Sequence, residues 1–247
     1  MSNIRLVALT GMKNAFRIKT GMTILVSVTL LFIVGIALAM CLLLIAPEME
    51  SASPDRNILE GYLGIILYAS SLISIGVALN SLVFQTMVRE KTRGNLAAMM
   101  ATPLKISDIW LGKTLALFVP GLVLAIILTL LVLVIINAIY FLPEFGFVIN
   151  WQMMVNSLVL MPVMYLFFGM FVHIIGLTTK PVTGNVIAQI YLPVIANVMI
   201  QLVVREVMDA NSWQFMALNL GLAVLLGISV LAFKSRLTAE RVMLSAG

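Results

Sequence analysis

The chain has 247 residues, of which 62% are hydrophobic and only 10% charged, with a formal net charge of +5. A soluble domain runs at about 45–50% apolar and about 25% charged, and one core of this size cannot bury the excess. A soluble enzyme, a disordered chain and a disulfide-framed secreted domain are therefore excluded, and an integral membrane class is expected.

Residues 3–19 open the chain as a short amphipathic helix. Ile4, Val7, Ala8, Met12 and Ala15 share one side at helical spacing, and Arg5, Lys13 and Arg17 line the other. A basic helix of this kind lies in the headgroup plane, so it is expected to be an interfacial anchor on membrane lipid. Six stretches without Asp, Glu, Lys or Arg follow, at 20–47, 61–88, 114–143, 145–179, 181–204 and 210–233. A hydrocarbon core of about 30 Å takes about 20 helical residues, so each stretch holds one crossing. Continuous apolar runs are not the alternating pattern of a barrel strand. The spacing predicts helices near 22–46, 62–88, 114–141, 153–178, 185–204 and 213–234, an all-α integral membrane fold in one transmembrane domain over 1–247.

The first crossing is too long, and too far from residue 1, for a cleaved signal peptide. Leu38-Ala39-Met40-Cys41 has the outline of a lipoprotein cleavage box, but Met40 is too large for its position. Cys41, the one cysteine, is expected to be buried and structural. In the second crossing Ser70, Ser74, Asn80, Ser81, Gln85 and Thr86 are polar, and in the fifth Gln189, Asn197 and Gln201 share a face. Amides in lipid want partners or a wet cavity. Two readings stand for Asn80, Gln85, Gln189, Asn197 and Gln201: they line a path, or they bond helix to helix. Pro193 is expected to kink or break the fifth crossing.

The loop 89–113 is the longest and most charged between crossings. Gly94 breaks the incoming helix, Asn95 can cap a new short one, and Leu96, Met99 and Met100 then share a face. Pro103 ends that turn at Thr102, and Ser107 can cap the helix that follows. A short helix bearing methionines is either a plug for another protein's groove or a loop folded on its own bundle.

Six crossings put both termini on one side. The segments 1–21, 89–113 and 234–247, with Lys180, carry thirteen of the fifteen basic residues; only Arg56 and Arg205 lie across. Seven of the ten acids lie across as well. The positive-inside rule then places both termini in the cytoplasm, and the basic balance reads as orientation, with no nucleic-acid partner.

Three features imitate chemistry. Gly112-Lys113-Thr114 resembles the end of a phosphate-binding loop, but Ser107 stands where that loop needs glycine and no strand precedes it. His173 is the lone histidine and has no acid in its stretch, so a structural role is weighed against a substrate or proton site. Met153, Met154, Met161, Met164 and Met170 crowd the fourth crossing, where core filling is weighed against soft-metal ligation.

The segment 88–115 resembles the permease subunits of ABC transporters of the type-2 (exporter) family. Their pattern is Arg-Glu, a spacer, Gly-Thr-Leu-Glu, a hydrophobic pair, Thr-Pro-Leu, a polar spacer and Gly-Lys. The matches are Arg89, Glu90, Gly94, Leu96, Met99, Met100, Thr102, Pro103, Leu104, Gly112 and Lys113. Asn95 stands where the family has Thr, and Ala97 where it has Glu. The resemblance implies a cytoplasmic coupling helix, with Glu90, Arg93, Gly94, Leu96, Met99, Met100, Thr102 and Pro103 meeting a separate cytoplasmic ABC ATPase present in two copies. ATP and Mg would be bound by that partner, and no cofactor by this chain. It also implies a second permease half, identical or related, a non-catalytic role here, and a prokaryotic inner membrane. An ion-gradient-driven secondary transporter and a non-transporting scaffold for such an ATPase are the alternatives; the first would normally carry an intramembrane acid or an inverted repeat.

Overall fold

The computed structural model describes residues 3–17, 19–79, 91, 98–99 and 101–245. All regular structure among them is helical. Helix α1 spans Asn3–Arg17. Helix α2 spans Lys19–Met40 and runs on through a π-helical turn, Cys41–Ile45, into Ala46–Met49. Helix α3 is Arg56–Ala78, α4 is Ile106–Phe141 and α5 is Trp151–Thr178. Helix α6 is Pro181–Val204, α7 is Trp213–Lys234 and the short α8 is Ala239–Leu244. Six of these, α2 to α7, are long and apolar enough to cross a membrane. Side-chain caps start four helices: Asp55 on α3, Asn150 on α5, Ser212 on α7 and Thr238 on α8 each accept a backbone N–H from the first turn.

The core is organised around α3. Of its most apolar stretch 89% is buried inside the bundle, against 17% to 50% for the other five. It is also the least hydropathic of the six, at 1.7. The two facts belong together. A helix facing lipid must be apolar all round, whereas one wrapped by protein can carry small and hydroxylated residues. Ser70 and Ser74 donate back to the carbonyls of Ile66 and Ser70, at 2.8 and 2.7 Å. Tyr68 donates to Asn219 Oδ1 on α7 at 2.6 Å, deep in the core. Ala78 lies so close to α4 that Gly121 is required there: a Cβ on it would meet the Ala78 methyl at 2.8 Å.

The ends of the bundle differ in charge. Glu48, Glu50, Asp55, Glu144, Glu206 and Asp209 crowd one end, and Lys91, Lys105, Lys180, Lys234, Arg236 and Arg241 the other. At the acidic end, π-helical turns at Asn137–Phe141 and Asn156–Leu160 each begin on a buried asparagine. The extra residue in such a turn rotates the helix face and re-aims these amides inward. Asn137 Oδ1 accepts from Val148 N at 2.6 Å, and Asn156 Nδ2 donates to Ala210 O at 3.0 Å. Trp151 and Trp213 close the same end edge to face, 5.0 Å apart.

Three sequence expectations fail locally. Pro193, expected to kink or break α6, does not break it: the helix runs continuously from Pro181 to Val204. One missing hydrogen bond costs less than leaving a broken segment unsatisfied in an apolar surround. Ser107 is not a cap, because α4 starts at Ile106 with Lys105 as its N-cap residue. The apolar stripe of α1 faces protein: Val7 and Ala8 are buried, and α1 packs extensively on α4. Gly11 and Gly112 permit that contact, since a Cβ on them would meet Ala116 Cβ at 2.8 Å and Val7 Cβ at 2.6 Å. It is Leu6 and Leu9, off the predicted stripe, that stay exposed.

Candidate functional site

The loop between α3 and α4 is described at Lys91, Ala98, Met99 and from 101 onward. Glu90, Arg93, Gly94, Leu96 and Met100 lie outside the described residues. Ala98 and Met99 are helical. Thr102 closes this turn by donating both its hydroxyl and its amide to the Met99 carbonyl, at 2.6 and 3.2 Å. Pro103 then prevents further helix, and both Thr102 and Pro103 are exposed. Met99 is partly buried, and it packs on its own chain.

What it packs on is a second apolar cluster at the basic end, separate from the bundle core. Ile109 and Trp110 of α4, Ile174 and Leu177 of α5, Val230 of α7 and Val242 of α8 form its centre. Polar bonds fix the same region. Trp110 Nε1 donates to Met170 O at 3.2 Å. His173 Nδ1 lies 2.7 Å from Thr114 Oγ1, which also reaches Trp110 O at 2.9 Å. Thr114 has one proton, so with that proton on the carbonyl it is His173 that donates. The histidine is 3% exposed and ties α5 to α4.

Lys91 is the residue that sequence reasoning passed over. It is 4% exposed. Its Nζ lies within hydrogen-bonding distance of four oxygens, the carbonyls of Gly176 at 3.2 Å, Leu177 at 3.0 Å and Thr179 at 2.6 Å, and Ser245 Oγ at 2.7 Å, for its three protons. Two of these acceptors, Gly176 and Leu177, are orphan carbonyls of the last turn of α5, Thr179 is its extended C-cap residue, and the negative end of a helix attracts a cation. Desolvation still outweighs them and pushes the Lys91 ammonium down to about 8. Only its basic type, in a loop, was visible in the sequence.

Of the residues expected to line a path, Asn80 and Gln85 lie outside the described residues. Gln189, Asn197 and Gln201 are all exposed, and with Pro193 they form one ridge of α6 at four-residue spacing. This helix is the least buried of the six. It is held to α5 by Tyr191, which stacks on Phe168 with ring centroids 3.7 Å apart. Gln201 Oε1 accepts from Arg205 Nε at 2.9 Å, a bond along α6 rather than to a neighbouring helix. Ser70 and Ser74, by contrast, are buried and bonded within α3.

Cys41 is buried in the π-helical turn of α2. Met153, Met161 and Met164 are in the core, where Met161 sulfur accepts from Ser71 Oγ at 3.6 Å. At the acidic end a cavity of about 250 Å³ opens between the start of α3 and the α6–α7 connection, lined by Asn57, Tyr62, Glu206 and Asp209 among others. Comparison with protein-family models, with curated proteins and with solved structures finds no match to this chain.

Proposed function

We propose that this chain is the membrane half of an ATP-driven exporter of the type-2 ABC family, with its basic end and both termini in the cytoplasm of a prokaryotic inner membrane. Two such halves would pair and engage two cytoplasmic ATPase subunits. The observation that carries the reading is the loop between α3 and α4. It has the family's residue pattern, its Ala98–Met99 turn is closed by Thr102 and Pro103, and Thr102 and Pro103 stand exposed at the basic end. Met99 leans on its own bundle, and the family pattern assigns the apolar contact with the ATPase to Leu96 and Met100. Movement pressed on the loop passes through Met99 into the cluster that joins α4, α5, α7 and α8.

The ridge Gln189–Asn197–Gln201 supports a path between two halves. Gln201 is bonded along α6 by Arg205, but an exposed amide such as Asn197 on a helix inside lipid is costly unless it meets water or another chain. The translocation route would run along that ridge, with ATP chemistry confined to the partner.

The test is Leu96→Asp in a complex reconstituted into vesicles. The variant is expected to insert and to bind the ATPase more weakly, and vanadate-sensitive flux should fall at least about tenfold, the cost of one buried charge at such a contact. Full flux in the variant would sink the coupling assignment. Wild-type flux that needs an ion gradient and not ATP would favour a secondary transporter, and ATPase binding without any flux would favour a scaffold.

A further inference from the structure

The basic end contains one arrangement that the exporter reading does not use. Three segments far apart in sequence meet at a single nitrogen. Lys91 belongs to the loop after α3, Gly176, Leu177 and Thr179 to the end of α5, and Ser245 to the residue that ends α8. An ammonium has three protons, and here four oxygens stand within 3.2 Å of it. Ser245 is itself a branch point: its hydroxyl lies 2.9 Å from Leu177 O and 3.0 Å from Val242 O. No carboxylate pairs with Lys91 among the described residues. A buried cation without an acid survives only where fixed dipoles replace its water, and the end of α5 supplies them.

The apolar side of the same junction is as specific. Helix α8 has six residues and contributes one buried side chain, Val242, with Leu237 buried just before it. A helix this short is not stable by itself and needs tertiary anchors. Its anchors are Val242 and Leu237 in the second cluster, and the Ser245–Lys91 bond.

We propose that Lys91 is a positioning residue that locks α8 and the basic end of α5 to the loop between the second and third crossings, making the C-terminal segment a latch on that loop. The lock stands on the geometry of the chain alone. Its consequence, that α5 and α8 move whenever the loop is pushed, rests on the exporter reading.

The experiment is amide hydrogen exchange of the 239–245 peptide in the full chain, purified in detergent, with no ATPase or nucleotide present. Lys91→Met is expected to speed exchange there by about tenfold or more, because charge-assisted bonds to buried carbonyls are among the stronger ones. Ser245→Ala, which removes one branch, should speed it several-fold. Lys91→Arg keeps donors and charge, and is expected to stay within about threefold of wild type. Wild-type exchange in both Lys91→Met and Ser245→Ala overturns the lock, as does Lys91→Arg exchanging as fast as Lys91→Met. If Lys91→Met does not fold, Ser245→Ala decides, since that hydroxyl is at the edge of the bundle. No transport component is present, so failure here leaves the exporter reading standing, and failure of the Leu96→Asp test leaves the lock standing.

Discussion

Helices α3 and α6 have nearly the same mean hydropathy, 1.7 and 1.9, the two lowest among the crossing helices. Yet 89% of the most apolar stretch of α3 is buried in the bundle, and only 17% of that of α6. In α3 the weak hydropathy has a visible cause: Tyr68, Ser70, Ser71 and Ser74 are buried, and each donates within its own chain. In α6 the same weakness comes from Gln189, Asn197 and Gln201, which sit on the outer surface. Equal composition therefore means opposite things. Polarity turned inward is satisfied deep in the fold, and polarity turned outward is left on the surface that a second chain or water can meet.

The largest expected effect is on the inward side. Leu67 is 0% exposed at the centre of α3, and Leu67→Ala should cost about 2–5 kcal/mol in a thermal or denaturant unfolding series in detergent. Val194→Ala, on the exposed side of α6, should stay within about 0.5 kcal/mol. Equal losses at the two sites would remove the distinction between the helices. A smaller effect tests the polar half of the contrast. Tyr68→Phe deprives Asn219 Oδ1 of its donor in a buried site and should cost about 1 kcal/mol, as interhelical bonds in membrane proteins do. On α6 the double variant Asn197→Leu, Gln201→Leu should leave the stability of the isolated chain within about 0.5 kcal/mol. Its effect should appear in flux or in pairing, read by native mass of the complex. Unaltered flux and pairing would make the ridge an ordinary lipid face.

Much of this architecture could be read without coordinates, because lipid punishes misplaced charge. Each charge-free stretch holds one of the six crossing helices, and the expected end of the second, near 88, lies outside the described residues. The starts are less exact: α3 begins five residues before its stretch, α5 six residues after its own, and α4 departs most. It starts at Ile106, eight residues before the stretch begins, because Asp108 and Lys113 are helical while still outside the apolar span. Pattern arguments failed where a tertiary partner decides. The stripe of α1 was legible, but not that Gly11 and Gly112 bring it onto α4 rather than lipid. The periodicity of Gln189, Asn197 and Gln201 showed that they share a face, and could not say which way that face turns. Lys91 was illegible for a different reason: its acceptors come from residues 176–179 and 245, and nothing local announces them.

Lys91 is the extreme case of inward polarity, and its titration tests how completely the fold satisfies it. Its pKa falls from 10.5 to about 8 because burial disfavours the charged form. Between those two values the unfolded chain binds more protons at this site than the folded chain. Stability must then rise with pH across that window, be fully gained above 10.5, and be lost again as pH falls through about 8. Other lysines and tyrosines titrate nearby, so the quantity to measure is the difference between wild type and Lys91→Met in melting temperature, followed from pH 7.5 to 10.5. Wild type should gain on the variant as pH rises. If it instead loses ground, the carbonyls of α5 hold the ammonium more tightly than water does. The end of the helix would then be a full counter-charge, and even the most deeply placed charge of the bundle would be as well satisfied as the serines of α3.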